Sequence, residues 1–180
     1  MIPIEYFWFT IIFIFGIIGA IRGLHKELGV TAIVAISLFV MWFGWSMAES
    51  FITSLLQRGP FTDLTAAQVE ALYYTVGVLF VAFISYEGIV LMFPAKLKGF
   101  LQNAFGFFGG LLNGYLIAGT IWDVVAHAKY FHPQLSIVTC PCSHFHDTVI
   151  QFLPVSLMTN FSPWPMFFLG FLLLLAIVFK

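Results

Sequence analysis

Charged side chains are rare in this chain, and those within or next to its apolar segments are the first candidates for a functional role. Arg22, Lys26 and Glu27 follow the first apolar run, whereas Glu87 lies inside the third. A charge within an apolar helix of membrane length costs about 2.5–3.5 kcal/mol unless it is paired, hydrated or protonated. We therefore expect Glu87 to form a structural ion pair with Arg22 or with a nearby lysine, or to take part in proton or ion handling.

A second group of reactive residues lies in a polar stretch after the fourth apolar run: Cys140, Cys142, His144 and His146. Two thiolates and two imidazoles could surround zinc or copper tetrahedrally. Ligands at every second residue must come from an extended or turning segment, and the usual zinc patterns separate the cysteines by two to four residues. On an oxidising face the cysteines could instead form a disulfide. The sequence leaves metal, disulfide and free thiols open.

Small residues recur at spacings of three and four in two apolar segments. The residues in the fourth segment are Gly106, Gly110, Gly114 and Ala118, and those in the first are Gly16, Gly19, Ala20 and Gly23. On a helix such spacings place small residues on one face, where a second backbone can approach closely. We expect these two helices to pack against each other, with docking of a partner protein's helix as the alternative.

The elements that carry these residues are predicted by hydropathy. The chain of 180 residues is 61% hydrophobic and 8% charged, with a mean hydropathy of +1.02, which is typical of a protein embedded in lipid. The pattern predicts an all-α, polytopic transmembrane bundle of four to five helices in a single integral membrane domain, residues 1–180. The predicted helices are 4–21, 28–56, 66–93, 104–122 and 164–179, with a polar outer loop over 123–163.

Two further signals refine the helix predictions. Thr65 and Gln68 form the pattern of a capping box at the start of the third helix. The run 164–179 would rise only about 24 Å, so the fifth helix crosses a thinned bilayer or is re-entrant.

Basic residues predict the orientation, because positively charged loops are retained on the cytoplasmic side. With the N-terminus outside, five basic residues fall inside and two outside. Those inside are Arg22, Lys26, Lys96, Lys98 and Lys180, and those outside are Arg58 and Lys129. All five tryptophans then lie toward the outer interface, where amphipathic rings prefer to sit.

Several function classes are disfavoured by what the sequence lacks. The formal charge is −1 and the basic residues are scattered, so nucleic acid is not an expected partner. No zinc-protease, nucleophile-elbow, phosphate-loop or dinucleotide signature occurs, and we expect no enzymatic activity. No cofactor is predicted, although contact with lipid, quinone or pigment is left open because aromatic rings alone form no motif. The expected partners are the bilayer and other membrane subunits.

Residues 19–28, followed by an apolar helix, resemble the signature of the bacterial colicin V production protein family, as does the spacing of the first four helices. The run 106–114 resembles the glycine-rich part of that family's fourth helix, with Asn113 where the family usually has Arg. The resemblance implies a multi-pass protein of the bacterial inner membrane linked to toxin production or export, with no established chemistry.

The sequence therefore predicts a non-enzymatic scaffold or accessory protein. Two alternatives are a small channel or exporter using Glu87 and Arg22, and an accessory subunit of a photosynthetic or respiratory complex. The motifs Gly19-x-x-Arg22-Gly23 and Gly110-x-x-Asn113-Gly114 also indicate an inverted internal repeat.

Overall fold

A computed structural model describes residues 4–56, 64–87, 99–128 and 143–160, and all of its regular elements there are helices. In chain order they are α1 (Ile4–Arg22), α2 (Leu24–Leu56), α3 (Ala66–Glu87), α4 (Phe100–His127), α5 (Ser143–Gln151) and α6 (Pro154–Asn160). The predicted all-α fold class is confirmed.

Four helices, α1 to α4, are long and apolar enough to cross a membrane. A helix in hydrocarbon satisfies its own backbone hydrogen bonds, and these segments have the length and composition that a bilayer requires. The described part of the chain is thus a multi-pass membrane bundle. The predicted fifth helix, 164–179, lies outside the described residues.

Helix α4 lies at the centre of the bundle, in contact with α1, α2, α3 and α6. It runs antiparallel to α1, because Gly114 meets Ile12 while Gly106 meets Gly23. The glycines allow the two backbones to touch: a Cβ atom added at Gly19 would lie 2.7 Å from the Cα of Gly110. Such close approach maximises van der Waals contact, the main attraction between helices in lipid.

A single residue, Gly23, separates α1 from α2. Its φ of 83° lies in the left-handed region, which residues with a Cβ atom rarely adopt. The Gly23 amide still donates to the Gly19 carbonyl oxygen at 2.9 Å, so α1 is hydrogen-bonded up to the turn. The chain can then reverse direction within one residue and begin α2.

Some helices extend further than predicted, into segments that contain polar residues. Helix α2 begins at Leu24 rather than 28, and α4 spans Phe100–His127 rather than 104–122. The predicted loop 123–163 contains the end of α4 and the short helices α5 and α6. Glu27 and Asp123 are buried and hydrogen-bonded within the bundle, so α2 and α4 can continue through these polar positions. Residues 88–93, predicted to continue the third helix, lie outside the described residues.

The capping box at the start of α3 is confirmed. The Thr65 amide donates to Gln68 Oε1 at 2.9 Å, and the Gln68 amide donates to the Thr65 hydroxyl oxygen at 3.3 Å. This reciprocal pair satisfies two amides that have no partner within the helix.

The tryptophans expected at the outer interface include three that are buried in the bundle, Trp8, Trp45 and Trp122. Trp8 and Trp122 stack with ring centroids 6.1 Å apart. The rings of these three residues fill the core rather than facing lipid headgroups, because large aromatic surfaces gain most from close packing.

Candidate functional site

Glu27, on the first turn of α2, is a charged residue with 0% of its surface exposed. Asn113 Nδ2 donates to its Oε2 at 2.7 Å and to its backbone carbonyl oxygen at 3.1 Å. The Tyr86 hydroxyl donates to the same Oε2 at 3.2 Å. Side chains from α3 and α4 therefore converge on one carboxylate oxygen of α2.

The other oxygen of Glu27 faces α1. Its Oε1 lies 3.5 Å from Arg22 Nε, an ion pair whose Arg22 side chain is 17% exposed. Oε1 accepts no hydrogen bond. The Arg22 guanidinium also lies 4.4 Å from the centre of the Tyr86 ring, within range of a cation–π interaction. Arg22 is thus held by a carboxylate and by an aromatic face.

Thr31 completes this group, which we call the Glu27 cluster: Arg22, Glu27, Thr31, Tyr86 and Asn113. The Thr31 hydroxyl lies 2.7 Å from Asn113 Oδ1 and 2.9 Å from the Glu27 carbonyl oxygen. Its donation to Oδ1 fixes the Asn113 amide so that its NH₂ group faces Glu27. The cluster joins all four long helices.

The local sequence explains why Glu27 can lie here. Gly109 of α4 faces it, and a Cβ atom added at Gly109 would come within 3.0 Å of the Glu27 Cβ. The absence of a side chain at this position leaves room for the carboxylate beneath Asn113. Burying an ion pair costs free energy that good geometry and further hydrogen bonds must offset, and here Asn113 and Tyr86 supply those bonds.

A second polar cluster, the Asp123 cluster, lies toward the opposite end of the bundle. Asp123 is fully buried in α4. The backbone amide of Ser156 donates to its Oδ2 at 2.7 Å, and the Ser156 hydroxyl donates to its Oδ1 at 2.8 Å. His127 Nδ1 lies 3.1 Å from the same Oδ1 and 2.9 Å from the Asp123 carbonyl oxygen. Asp123 therefore fastens α6 to α4 and orients the imidazole.

The structure brings together some of the residues that the sequence singled out. Gly16 faces the side chains of α4, whereas Gly19 meets the backbone of Gly106 and Gly110. The remaining small residues lie along the same helices. Gly23 meets Gly106, Gly114 meets Ile12, Ala20 is partly buried and Ala118 is 2% exposed.

The expected pairing of Arg22 with Glu87 is wrong, because the carboxylate that meets Arg22 is Glu27. Glu87 is the last residue of α3 and is exposed, as is Lys26 on α2. Tyr86 rather than Glu87 is on the face of α3 that points at Glu27. Adjacent residues of an α-helix point in different directions, so only one of these two neighbours can reach Glu27.

The cysteine and histidine group is not assembled within the described residues. Cys140 and Cys142 lie outside them, and no metal-binding group of three or more His, Cys, Asp or Glu residues occurs among the residues that the structure describes. His144 and His146 lie in α5, so the extended segment expected for this half of the group is instead a helix.

Sequence reasoning missed the roles of Tyr86, Thr31, Asp123 and Ser156. The spacing of Asp123 and His127 did carry a signal, because an acidic and a basic residue four positions apart lie on the same face of a helix and can pair. Asn113 was noted only as a departure from a family pattern and as part of a repeated motif. No local pattern connects it with Glu27, 86 residues away.

Fold and clusters together define a multi-pass helical membrane protein with a buried ion pair at the junction of its four long helices. No family model matches the chain, and comparisons with curated proteins and with solved structures find no match. Its resemblance to the colicin V production family therefore stays a prediction.

Proposed function

We propose that this protein is a non-enzymatic scaffold or accessory protein of a bacterial inner membrane, as its resemblance to the colicin V production family implies. The observation that carries the proposal is that the side chains of the Glu27 cluster form their hydrogen bonds and their ion pair with one another. Glu27 and Asn113 are both 0% exposed, and they hold each other between the helices. A charge used in this way stabilises one arrangement of helices rather than lining an open aqueous path.

The outward surface of the four long helices also supports a scaffold. It is aromatic and aliphatic, with exposed rings on every long helix, including Phe13, Phe43, Phe80 and Phe108. Such faces contact lipid chains or the helices of another membrane protein. A rigid interior with apolar faces is suited to holding partner subunits in place.

Photocrosslinking from two matched positions tests this function. Phe80 on α3 and Phe108 on α4 are each 64% exposed, so a benzophenone side chain at either fits equally well. In native membranes a scaffold should give a discrete protein adduct from one of these faces and lipid adducts from the other. Lipid adducts alone from both faces, with a monomer in native mass spectrometry after gentle extraction, would contradict the proposal.

A small exporter is the second candidate, because one carboxylate oxygen of Glu27 accepts no hydrogen bond while facing Arg22 at 3.5 Å. Such an oxygen could take up a proton or an ion. Flux in proteoliposomes separates the two functions: an exporter should conduct, and Glu27→Gln should abolish the flux while Glu87→Gln retains it. Equal, background flux in all three preparations would exclude transport.

A further inference from the structure

A polar cleft of about 270 Å³ lies between α3, α4 and α6, apart from the Glu27 cluster. Its polar lining consists of Glu70, His127, Ser156 and Thr159, and its apolar lining of Ala67, Val124 and Val155. The cleft is large enough for a small polar group. Its polar side chains come from three different helices, so its shape depends on the tertiary fold.

The hydrogen bonds of the lining residues determine what the cleft offers a ligand. His127 Nδ1 faces two oxygens of Asp123, which requires a proton on Nδ1 and commits that nitrogen to Asp123. The Thr159 hydroxyl donates to backbone oxygens of α6, so its own oxygen remains able to accept. The Glu70 carboxylate is a further acceptor, only partly buried.

Among the residues that the structure describes, the charge around the cleft is negative. Glu70 lies within electrostatic range of Glu49, Asp123 and His127. One imidazole, even when protonated, does not balance three carboxylates. A cation is therefore favoured over an anion.

We propose that this cleft binds a primary ammonium group. An ammonium carries three N–H donors, and the cleft presents two kinds of acceptor: the Glu70 carboxylate and the Thr159 hydroxyl oxygen. A charge-assisted bond to Glu70 supplies most of the affinity, and the Thr159 oxygen selects for N–H over N–CH₃.

The position of the cleft favours an aminophospholipid headgroup as the source of the ammonium. His127 is the last residue of α4, and Glu70 lies in the second turn of α3. Both residues are therefore near the ends of membrane-spanning helices, at the level where headgroups lie. A free amine from the aqueous phase shares the same chemistry.

Native mass spectrometry of the full-length protein with equimolar dioleoyl phosphatidylethanolamine, phosphatidylcholine and phosphatidylglycerol tests the proposal. We expect about a tenfold preference for phosphatidylethanolamine over phosphatidylcholine, the effect of one charge-assisted bond. Glu70→Gln should remove this preference. Glu87→Gln, which neutralises an exposed carboxylate at the other end of α3, should keep it.

Thr159→Val provides a second, gentler variant, since it removes one acceptor at similar volume, and it should reduce the preference in part. Competition with free ethanolamine distinguishes the sources. Displacement of the lipid at matched concentration identifies a soluble amine, whereas retention of the lipid identifies the headgroup. Equal retention of phosphatidylethanolamine and phosphatidylcholine by the unaltered protein, or an unchanged preference in folded Glu70→Gln, would overturn the proposal.

Discussion

At the scale of single residues, the two polar positions of the repeated five-residue motif meet the same partner. Arg22 pairs with Glu27 from α1, and Asn113 donates to Glu27 from α4. Asn113 therefore donates to Glu27 without adding a charge. A second cation at this position would place another buried positive charge beside Arg22. A neutral donor satisfies the carboxylate at a lower desolvation cost.

The first prediction concerns this asparagine. Asn113→Leu keeps the branched shape and the number of heavy atoms but removes the donor to Glu27 Oε2, so we expect the free energy of unfolding to fall by about 2 kcal/mol, more than for a neutral bond between membrane helices. Unfolding in mixed micelles containing increasing sodium dodecyl sulfate, followed by circular dichroism, measures the change.

A double-mutant cycle with Glu27→Leu gives the control for this prediction. Removing both partners leaves no unsatisfied carboxylate, so the double variant should lose less stability than the sum of the two single variants, by about 1 kcal/mol or more. Strict additivity would show that the bond between Asn113 and Glu27 contributes nothing.

At the scale of elements, α4 organises the bundle because its small residues let α1 approach on one side while Asn113 and Asp123 bind α2 and α6. Glycine weakens an isolated helix, by about 1 kcal/mol relative to alanine. Its repeated use in α1 and α4 is therefore explained by backbone contact between them.

The second prediction compares two glycines. A Cβ atom at Gly110 would lie 2.9 Å from the Cα of Gly19, whereas one at Gly44 would meet only the Tyr73 hydroxyl at 3.2 Å. Gly110→Ala should therefore destabilise the protein by about 2 to 3 kcal/mol, because backbone cannot move aside as a side-chain end can. Gly44→Ala should stay within about 1 kcal/mol of the unaltered protein in the same detergent titration. Equal effects of the two substitutions would contradict the close backbone contact between Gly110 and Gly19.

The third prediction concerns the attachment of α6. Asp123→Ala removes the acceptor for both the amide and the hydroxyl of Ser156, so hydrogen exchange of the amides over 155–160 should accelerate by at least about tenfold. Exchange mass spectrometry measures this, with Glu87→Gln as the control. Unchanged exchange would mean that apolar contacts of Leu153 and Met158 suffice to hold α6.

At the scale of the whole molecule, the two polar clusters lie toward opposite ends of the bundle, which gives the protein two chemically different faces. The turn at Gly23 adjoins the Glu27 cluster, and the start of α3 adjoins the Asp123 cluster. The basic residues predict which end faces the cytoplasm.

The fourth prediction tests this orientation. In a background without native cysteines, a cysteine at exposed Thr65 should react with a membrane-impermeant maleimide in intact spheroplasts. A cysteine at exposed Lys26 should react only after permeabilisation, because positive loops stay in the cytoplasm. The reverse labelling would place the N-terminus inside.

The sequence by itself determined the class of the protein, its four described spans and the capping box of α3. Hydropathy, small-residue spacing and capping are properties of neighbouring residues, and the free energy behind each is local or comes from the surrounding lipid. The same reasoning pointed to α1 and α4 as packing partners, since their glycines could be recognised on each helix separately.

Only the tertiary structure decided which polar groups meet. Glu27 and Asn113 are 86 residues apart, and Asp123 and Ser156 are 33 apart. A buried polar atom must find a partner somewhere, but hydropathy and periodicity do not say which one. The choice of Glu27 rather than Glu87 for Arg22 follows from the turn at Gly23 and from the rotation of α3, both of which are fixed by the packing of whole helices.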